Sequence, residues 1–250
     1  MTVPADETMS SMANHPTGSS TAAPTNGRDL GGLATEAGHR FRPGLVYRSD
    51  DTGWGAGAHA AGLPEQAATA FDLRRPEEVA ERGLPWFVGG RTNRISRNLA
   101  PAGTVATTIT DDVSLADFYL RLFEAQTLNL GDIARLLATE VELPAVVYCV
   151  AGKDRTGVVV ATLGMLLEIR REDLVRDYAR SRTFMDGVVA TGRLGDVQDV
   201  VALPLFWAPP RAMELLLDRL SARFPTPEDL AEELHVSHPD LHRLRERLLS

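Results

Sequence analysis

Cys149 and Lys153 are the only cysteine and the only lysine of the 250-residue chain, and both fall in the run Cys149-Val150-Ala151-Gly152-Lys153-Asp154-Arg155-Thr156-Gly157. The spacing Cys-x5-Arg-Thr puts a nucleophile, several backbone amides and two cations within reach of one small anion. A phosphate monoester dianion resists attack so strongly that its enzymes reach rate enhancements on the order of 10^21. A thiolate divides that displacement into two easier ones. Backbone amides from Val150, Ala151, Gly152, Lys153, Asp154 and Arg155 can curl around non-bridging oxygens as an anion nest. A helix starting at Thr156 adds positive partial charge. The Arg155 guanidinium offers a planar fork that binds two oxygens at once. Gly152 permits close backbone approach, Gly157 permits tight packing of the helix against the strand, and Thr156 is placed to hydrogen-bond the sulfur. These electropositive surroundings favour the thiolate form of Cys149. The commonest fate of a lone cysteine is burial as a small hydrophobe, but a charged, glycine-bearing loop between two apolar runs is poor core material.

The elements that must hold this loop are legible around it. Pro144 to Tyr148 predicts a compact strand, and Thr156 to Leu167 (TGVVVATLGMLL) predicts a helix apolar on nearly all sides, which belongs against a sheet. Strand, tight loop and buried helix make an α/β unit. Further strands are expected at Leu45-Val46-Tyr47 and at Ala70-Phe71-Asp72-Leu73. A helix start is expected at Pro76, with Glu77 and Glu78 in the first turn. Residues 87–112 show no steady period and read as a long active-site loop or as the base of a mobile lid, and Gly53–Gly57 also reads as a loop. Ser114 opens a capping box, and a second helix runs through Ile133, Leu136 and Leu137. The C-terminal third is helical: Arg171–Arg180, Ala212–Phe224, then starts capped by Thr226 and Ser237, with Leu241, Leu244 and Leu248 on one stripe.

A hydrophobic content of 44% supports one sizeable core. Residues 1–25 are rich in Ser, Thr, Ala and Pro and nearly lack large apolar groups, so a disordered tail is expected there. Residues 26–250 are expected to form a single domain, with 182–250 a helical part and candidate lid. One cysteine excludes an intrachain disulfide framework and cysteine-rich zinc sites. Neither metal nor cofactor is expected, and His235 and His238 fall on different expected elements. A net charge of -8 argues against a nucleic-acid partner. No apolar run is long enough to span a membrane, and no secretory leader is recognised at the start. The expected location is the cytoplasm, with non-classical export as the alternative. Arg28 and Asp29 are expected to lock a turn, and Arg74 and Arg75 to be solvated or to widen a positive mouth.

With these residues in hand, the chain resembles the atypical bacterial tyrosine phosphatases, whose loop is similar to that of lipid phosphatases. Gly27-Arg28-Asp29-Leu30-Gly31-Gly32, Val46-Tyr47-Arg48-Ser49-Asp50 and Phe71-Asp72-Leu73-Arg74 look like the family's N-terminal landmarks. Asp177-Tyr178-Ala179-Arg180-Ser181 and Leu244–Leu249 look like its C-terminal ones. The resemblance implies a doubly wound α/β cysteine-phosphatase fold, a central mostly parallel sheet flanked by helices, no metal and a phosphocysteine intermediate. It implies a phosphorylated protein or phosphoinositide as substrate, Asp72 as the general acid with Asp154 as its rival, and Lys153 as a contact for polyanionic headgroups. One departure stands out: Tyr148 occupies the position before the cysteine where the family usually has histidine. Two other readings compete, a rhodanese-like sulfurtransferase and a catalytically impaired phosphate-binding module.

Overall fold

The computed structural model describes residues 25–51, 63–100, 109–190 and 206–250. The expected tail lies outside them except for Thr25, whose Oγ1 donates to Asp50 Oδ1 at 2.8 Å; the run Gly53–Gly57 lies wholly outside. Five strands form one sheet in the order β1-β2-β5-β3-β4. They are β1 (Arg28–Asp29), β2 (Val46–Ser49), β3 (Thr69–Asp72), β4 (Asn93–Ser96) and β5 (Ala145–Tyr148). All neighbours pair in parallel except β1, which runs antiparallel on β2 at one edge.

The expected strand before the cysteine is β5, the sheet's centre. All four of its residues are buried, as a strand covered on both faces requires, and this explains its unbroken apolar sequence. Side chains alternate between faces. Val147 and Phe71 enter the large core shared with the helices, whereas Ala70, Val146 and Tyr148 pack with Phe87 in a smaller cluster. In register, Tyr148 lies opposite both Ser49 and Asp72. The chain therefore leaves β2, β3 and β5 from the same edge, and the residues that follow are gathered there.

The helices are α1 (Pro76–Arg82), α2 (Asp112–Ala125), α3 (Thr127–Thr139), α4 (Asp154–Leu166), α5 (Arg171–Ala179), α6 (Ser181–Ala190), α7 (Pro210–Arg223), α8 (Pro227–Glu233) and α9 (His238–Leu248). The apolar run after the loop is α4. Val158, Val159, Val160, Leu163 and Leu166 are all buried, and each such side chain contributes about 1.5–3 kcal/mol of burial. Gly157 serves close packing, though not on the strand: an added Cβ would lie 3.3 Å from the Tyr178 ring. The caps at Thr226 and Ser237 form as expected, and Leu241, Leu244 and Leu248 are buried together.

Two local readings are corrected. The stretch read as one long loop contains β4, an edge strand whose residues are exposed or half-buried, so it carries no apolar alternation. Helix α2 starts before Ser114: Asp111 is the N-cap, its carboxylate accepting from the Ser114 amide at 2.8 Å.

Candidate active site

The loop between β5 and α4 starts at Cys149, which is 2% exposed. Its sulfur accepts a hydrogen bond from Thr156 Oγ1 at 3.2 Å, from the first turn of α4. Between them Gly152 adopts φ 63°, a left-handed conformation that glycine takes without a Cβ clash. A Cβ there would stand 2.4 Å from the backbone carbonyl carbon and oxygen of Ser49. The turn thus demands glycine twice over, by torsion and by space. Its reward is a loop pressed onto the end of β2, with the α4 N-terminus aimed into it.

Arg155 is held by Glu78 of α1 through two contacts, Nη1 to Oε2 at 2.6 Å and Nη2 to Oε1 at 3.0 Å. Nη1 also donates to the Leu73 carbonyl at 3.2 Å. Burial opposes the guanidinium charge, but Cys149 and Glu78 outweigh it and raise the Arg155 pKa. Glu78 accepts from the Arg75 amide at 2.7 Å as well, so one carboxylate both caps α1 and orients Arg155.

Asp154 sits at the start of α4 with 22% of its side chain exposed. Its Oδ1 accepts from the Tyr119 hydroxyl at 2.6 Å, and Tyr119 meets the Tyr178 hydroxyl at 2.6 Å. Because Tyr119 spends its only proton on Asp154, Tyr178 is the donor of the second bond. Lys153 is 1% exposed. Its Nζ donates to the Trp207 carbonyl at 2.6 Å and lies 3.2 Å from Asp154 Oδ1. Burial lowers its pKa despite the opposing carboxylate.

Asp72 ends β3 fully buried. Its oxygens accept from the Arg74 amide, from Arg74 Nε and Nη2, from Arg94 Nε and Nη2, and from the Tyr148 hydroxyl at 2.7 Å. Burial alone would raise this carboxyl; the donors from Arg74, Tyr148 and Arg94 win, and the pKa falls. In this arrangement Asp72 is a saturated carboxylate. Arg74, expected at a solvated mouth, is 1% exposed and bridges Asp72 to Asp51, while Arg75 is solvated as expected. Asp29 locks its turn, accepting from the amides of Gly31 and Gly44. Arg28, by contrast, is buried and bound to Asp177.

The structure therefore brings Cys149, Lys153, Asp154, Arg155 and Thr156 into one loop and sets Asp72 beside it under Tyr148. Sequence reasoning gave no role to Glu78 beyond capping, and none to Tyr119 or Arg94. Their partners lie at least 22 residues away in the chain, and no local pattern announces such contacts. No cluster of His, Cys, Asp and Glu suited to a metal occurs among the described residues.

Comparison with known proteins bears on the same residues. A protein of Cupriavidus necator whose name calls it a putative tyrosine-protein phosphatase is 30% identical over 177 residues. That match takes in 63% of this chain and 60% of the relative, so the chain spans about three fifths of that protein's length. Crystal structures of P. aeruginosa TpbA, alone and as a variant in complex with pTyr, align over 65% of this chain and 87% and 86% of theirs. Both show 15% identity and a TM-score of 0.28, too distant to weigh on the fold. The family model described as "Tyrosine phosphatase family" matches residues 20–250, a span that includes the whole loop and every residue described around it. By that match, the chain belongs to the tyrosine phosphatase family.

Proposed function

We propose that this chain is a cysteine-dependent phosphomonoester hydrolase that acts on phosphotyrosine in proteins through a phosphocysteine intermediate. The observation that carries the reading is the Thr156–Cys149 contact at 3.2 Å, at the mouth of a glycine-turned loop whose Arg155 is already oriented. In the first step the Cys149 sulfur bonds to phosphorus as the bond from phosphorus to the phenolic oxygen breaks. Amides and the Arg155 fork follow the three equatorial oxygens into the trigonal transition state. In the second step water attacks the phosphocysteine, the sulfur–phosphorus bond breaks, and the Thr156 hydroxyl supports the departing thiolate.

The leaving oxygen needs a proton, and the same group then takes one from water. Asp154 fits that duty better than Asp72. Its Oδ1 carries the Tyr119 and Lys153 contacts, and the carboxyl keeps an exposed edge. Asp72 is buried and its charge is fixed by two arginines; it organises the floor of the site. Engagement of Lys153 by Trp207 and Asp154 favours phosphotyrosine over polyanionic headgroups, with phosphoserine, phosphothreonine and phosphoinositide as weaker substrates. Among the described residues no helix is long and apolar enough to cross a membrane.

Hydrolysis of para-nitrophenyl phosphate in the presence of a chelator tests this, comparing wild type with Cys149→Ser. Turnover by wild type and none by the variant is expected. Thiosulfate turnover without phosphate release would support the sulfurtransferase reading. Stoichiometric phosphopeptide binding without product would support the binding module.

A further inference from the structure

An anion nest works only if its amides point inward, and a loop of this composition has no intrinsic reason to keep them so. In a planar trans peptide the carbonyl and the next residue's N–H point in opposite directions. Tying a carbonyl outward therefore turns the following amide inward. The loop is tied in this way along its length. The Val150 carbonyl accepts from the Asp51 amide at 3.2 Å. The Ala151 carbonyl accepts from Asn26 Nδ2 at 2.8 Å, and the Gly152 carbonyl from Arg48 Nη2 at 2.7 Å. The Lys153 carbonyl accepts from the Gly157 amide at 2.7 Å and, more weakly, from Arg48 Nη2 at 3.4 Å. The amides that follow belong to Ala151, Gly152, Lys153 and Asp154.

We infer that Asn26 and Arg48 are positioning residues for phosphoryl transfer, which hold the loop carbonyls outward and so aim the amides at the phosphoryl oxygens. This deepens the phosphatase reading and rests on it. Both side chains are buried, at 2% and 0% exposure, and act through the loop rather than on substrate. Each is itself held. Arg28 Nη1 donates to Asn26 Oδ1 at 2.6 Å, which fixes the amide with its NH2 end toward the loop. Asp177 accepts from Arg28 Nε and from Arg48 Nη1, both at 2.6 Å. One carboxylate thus clamps two arginines, one steering Asn26 and the other gripping the loop. Burial first and the neighbouring Arg48 next push the Arg28 pKa down to about 10, with Asp177 opposing. The four residues come from β1, its lead-in, β2 and α5, so the clamp fastens the loop to three separate elements.

The test compares wild type with Asn26→Ala, Asn26→Asp and Arg48→Lys, using inorganic orthovanadate as the probe of the nest and para-nitrophenyl phosphate as substrate. Arg48→Lys keeps a positive charge for Asp177 but lacks the fork that reaches the Gly152 carbonyl as well, which separates the ion pair from the tether. Asn26→Ala removes the tether to the Ala151 carbonyl together with the Asn26 contacts to Ser181 and Arg28, leaves the Arg48–Asp177 pair in place, and guards against a misfolded Arg48 variant. Expected are folded variants whose vanadate affinity and kcat/KM each fall about 10- to 100-fold, with kcat falling more than KM rises. Variants that melt earlier yet keep wild-type vanadate affinity and kcat would overturn the inference, because the clamp would then serve stability alone. If wild type itself neither binds vanadate nor turns over, the phosphatase reading falls first and this inference with it.

Discussion

The Tyr148 hydroxyl donates to Asp72 Oδ2 at 2.7 Å, across the β5–β3 pair in which the two residues are register partners. Tyr148 stands next to Cys149, yet strand alternation turns it to the opposite face, against Phe87 with ring centroids 5.3 Å apart. Where the resembling family carries histidine, this chain braces the strand end by a tyrosine–carboxylate contact. Burial first, and Asp72 next, raise the Tyr148 pKa, so the phenol stays a donor throughout the neutral range.

Tyr148→Phe is expected to cost about 1.5–3 kcal/mol, the value of a hydrogen bond to a charged group, and to leave kcat/KM within several-fold of wild type. Urea denaturation alongside steady-state kinetics measures both. A wild-type denaturation midpoint would show that the contact carries no stability.

Asp72 and Asp154 are separable by leaving group. Asp154→Asn is expected to lower turnover of phenyl phosphate, a poor leaving group, about 10^2-fold or more, and to spare activated aryl phosphates. Asp72→Asn is expected instead to destabilise by about 3–5 kcal/mol, since it breaks a buried ion pair and leaves arginine charge uncompensated. A leaving-group dependence that appears in Asp72→Asn and not in Asp154→Asn would reverse the assignment.

Much of this site was legible in the chain because it is local. The strand, the loop and α4 are consecutive, and the switch from apolar run to Gly-Lys-Asp-Arg-Thr and back marks each boundary. The supports were not legible, for two physical reasons. Asn26 and Arg48 bind backbone carbonyls more than 100 residues away, and a carbonyl leaves no trace in the residue type that bears it. Strand β4 was missed because an edge strand need not be apolar; its Arg94 matters by reaching back to Asp72, a contact set by register alone. The strings around Arg28, Arg48 and Asp177 were recognised as family landmarks, and only the fold shows that they meet.

Glu78→Gln should free Arg155 without removing it. Expected is a fall in kcat/KM of about 10- to 100-fold with little change in thermal midpoint, since α1 buries no residue in the core. Kinetics and differential scanning fluorimetry decide. Unchanged kinetics would mean that the Glu78 contact does not orient Arg155 during turnover.

Acid sensitivity follows from the buried carboxylates. Burial would raise the Asp177 carboxyl, but Arg48 and Arg28 overcome it and the pKa falls; Asp72 behaves alike. A carboxyl depressed on folding contributes stability that is fully present above its unfolded value, about 3.9. That stability is lost as pH falls through the folded value. Thermal midpoints should therefore drop steeply below about pH 4, and Asp177→Asn, less stable at neutral pH, should show a shallower drop. Equal slopes in the two proteins would remove Asp177 from the linkage.

The most direct measurement is rapid acid quench of wild type during turnover of a phosphotyrosine peptide, followed by mass spectrometry of the peptide that contains Cys149. One phosphoryl group on that sulfur, absent in Cys149→Ser, is the predicted result. Sustained phosphate release with Cys149 unmodified, or turnover that survives in Cys149→Ser, would contradict it.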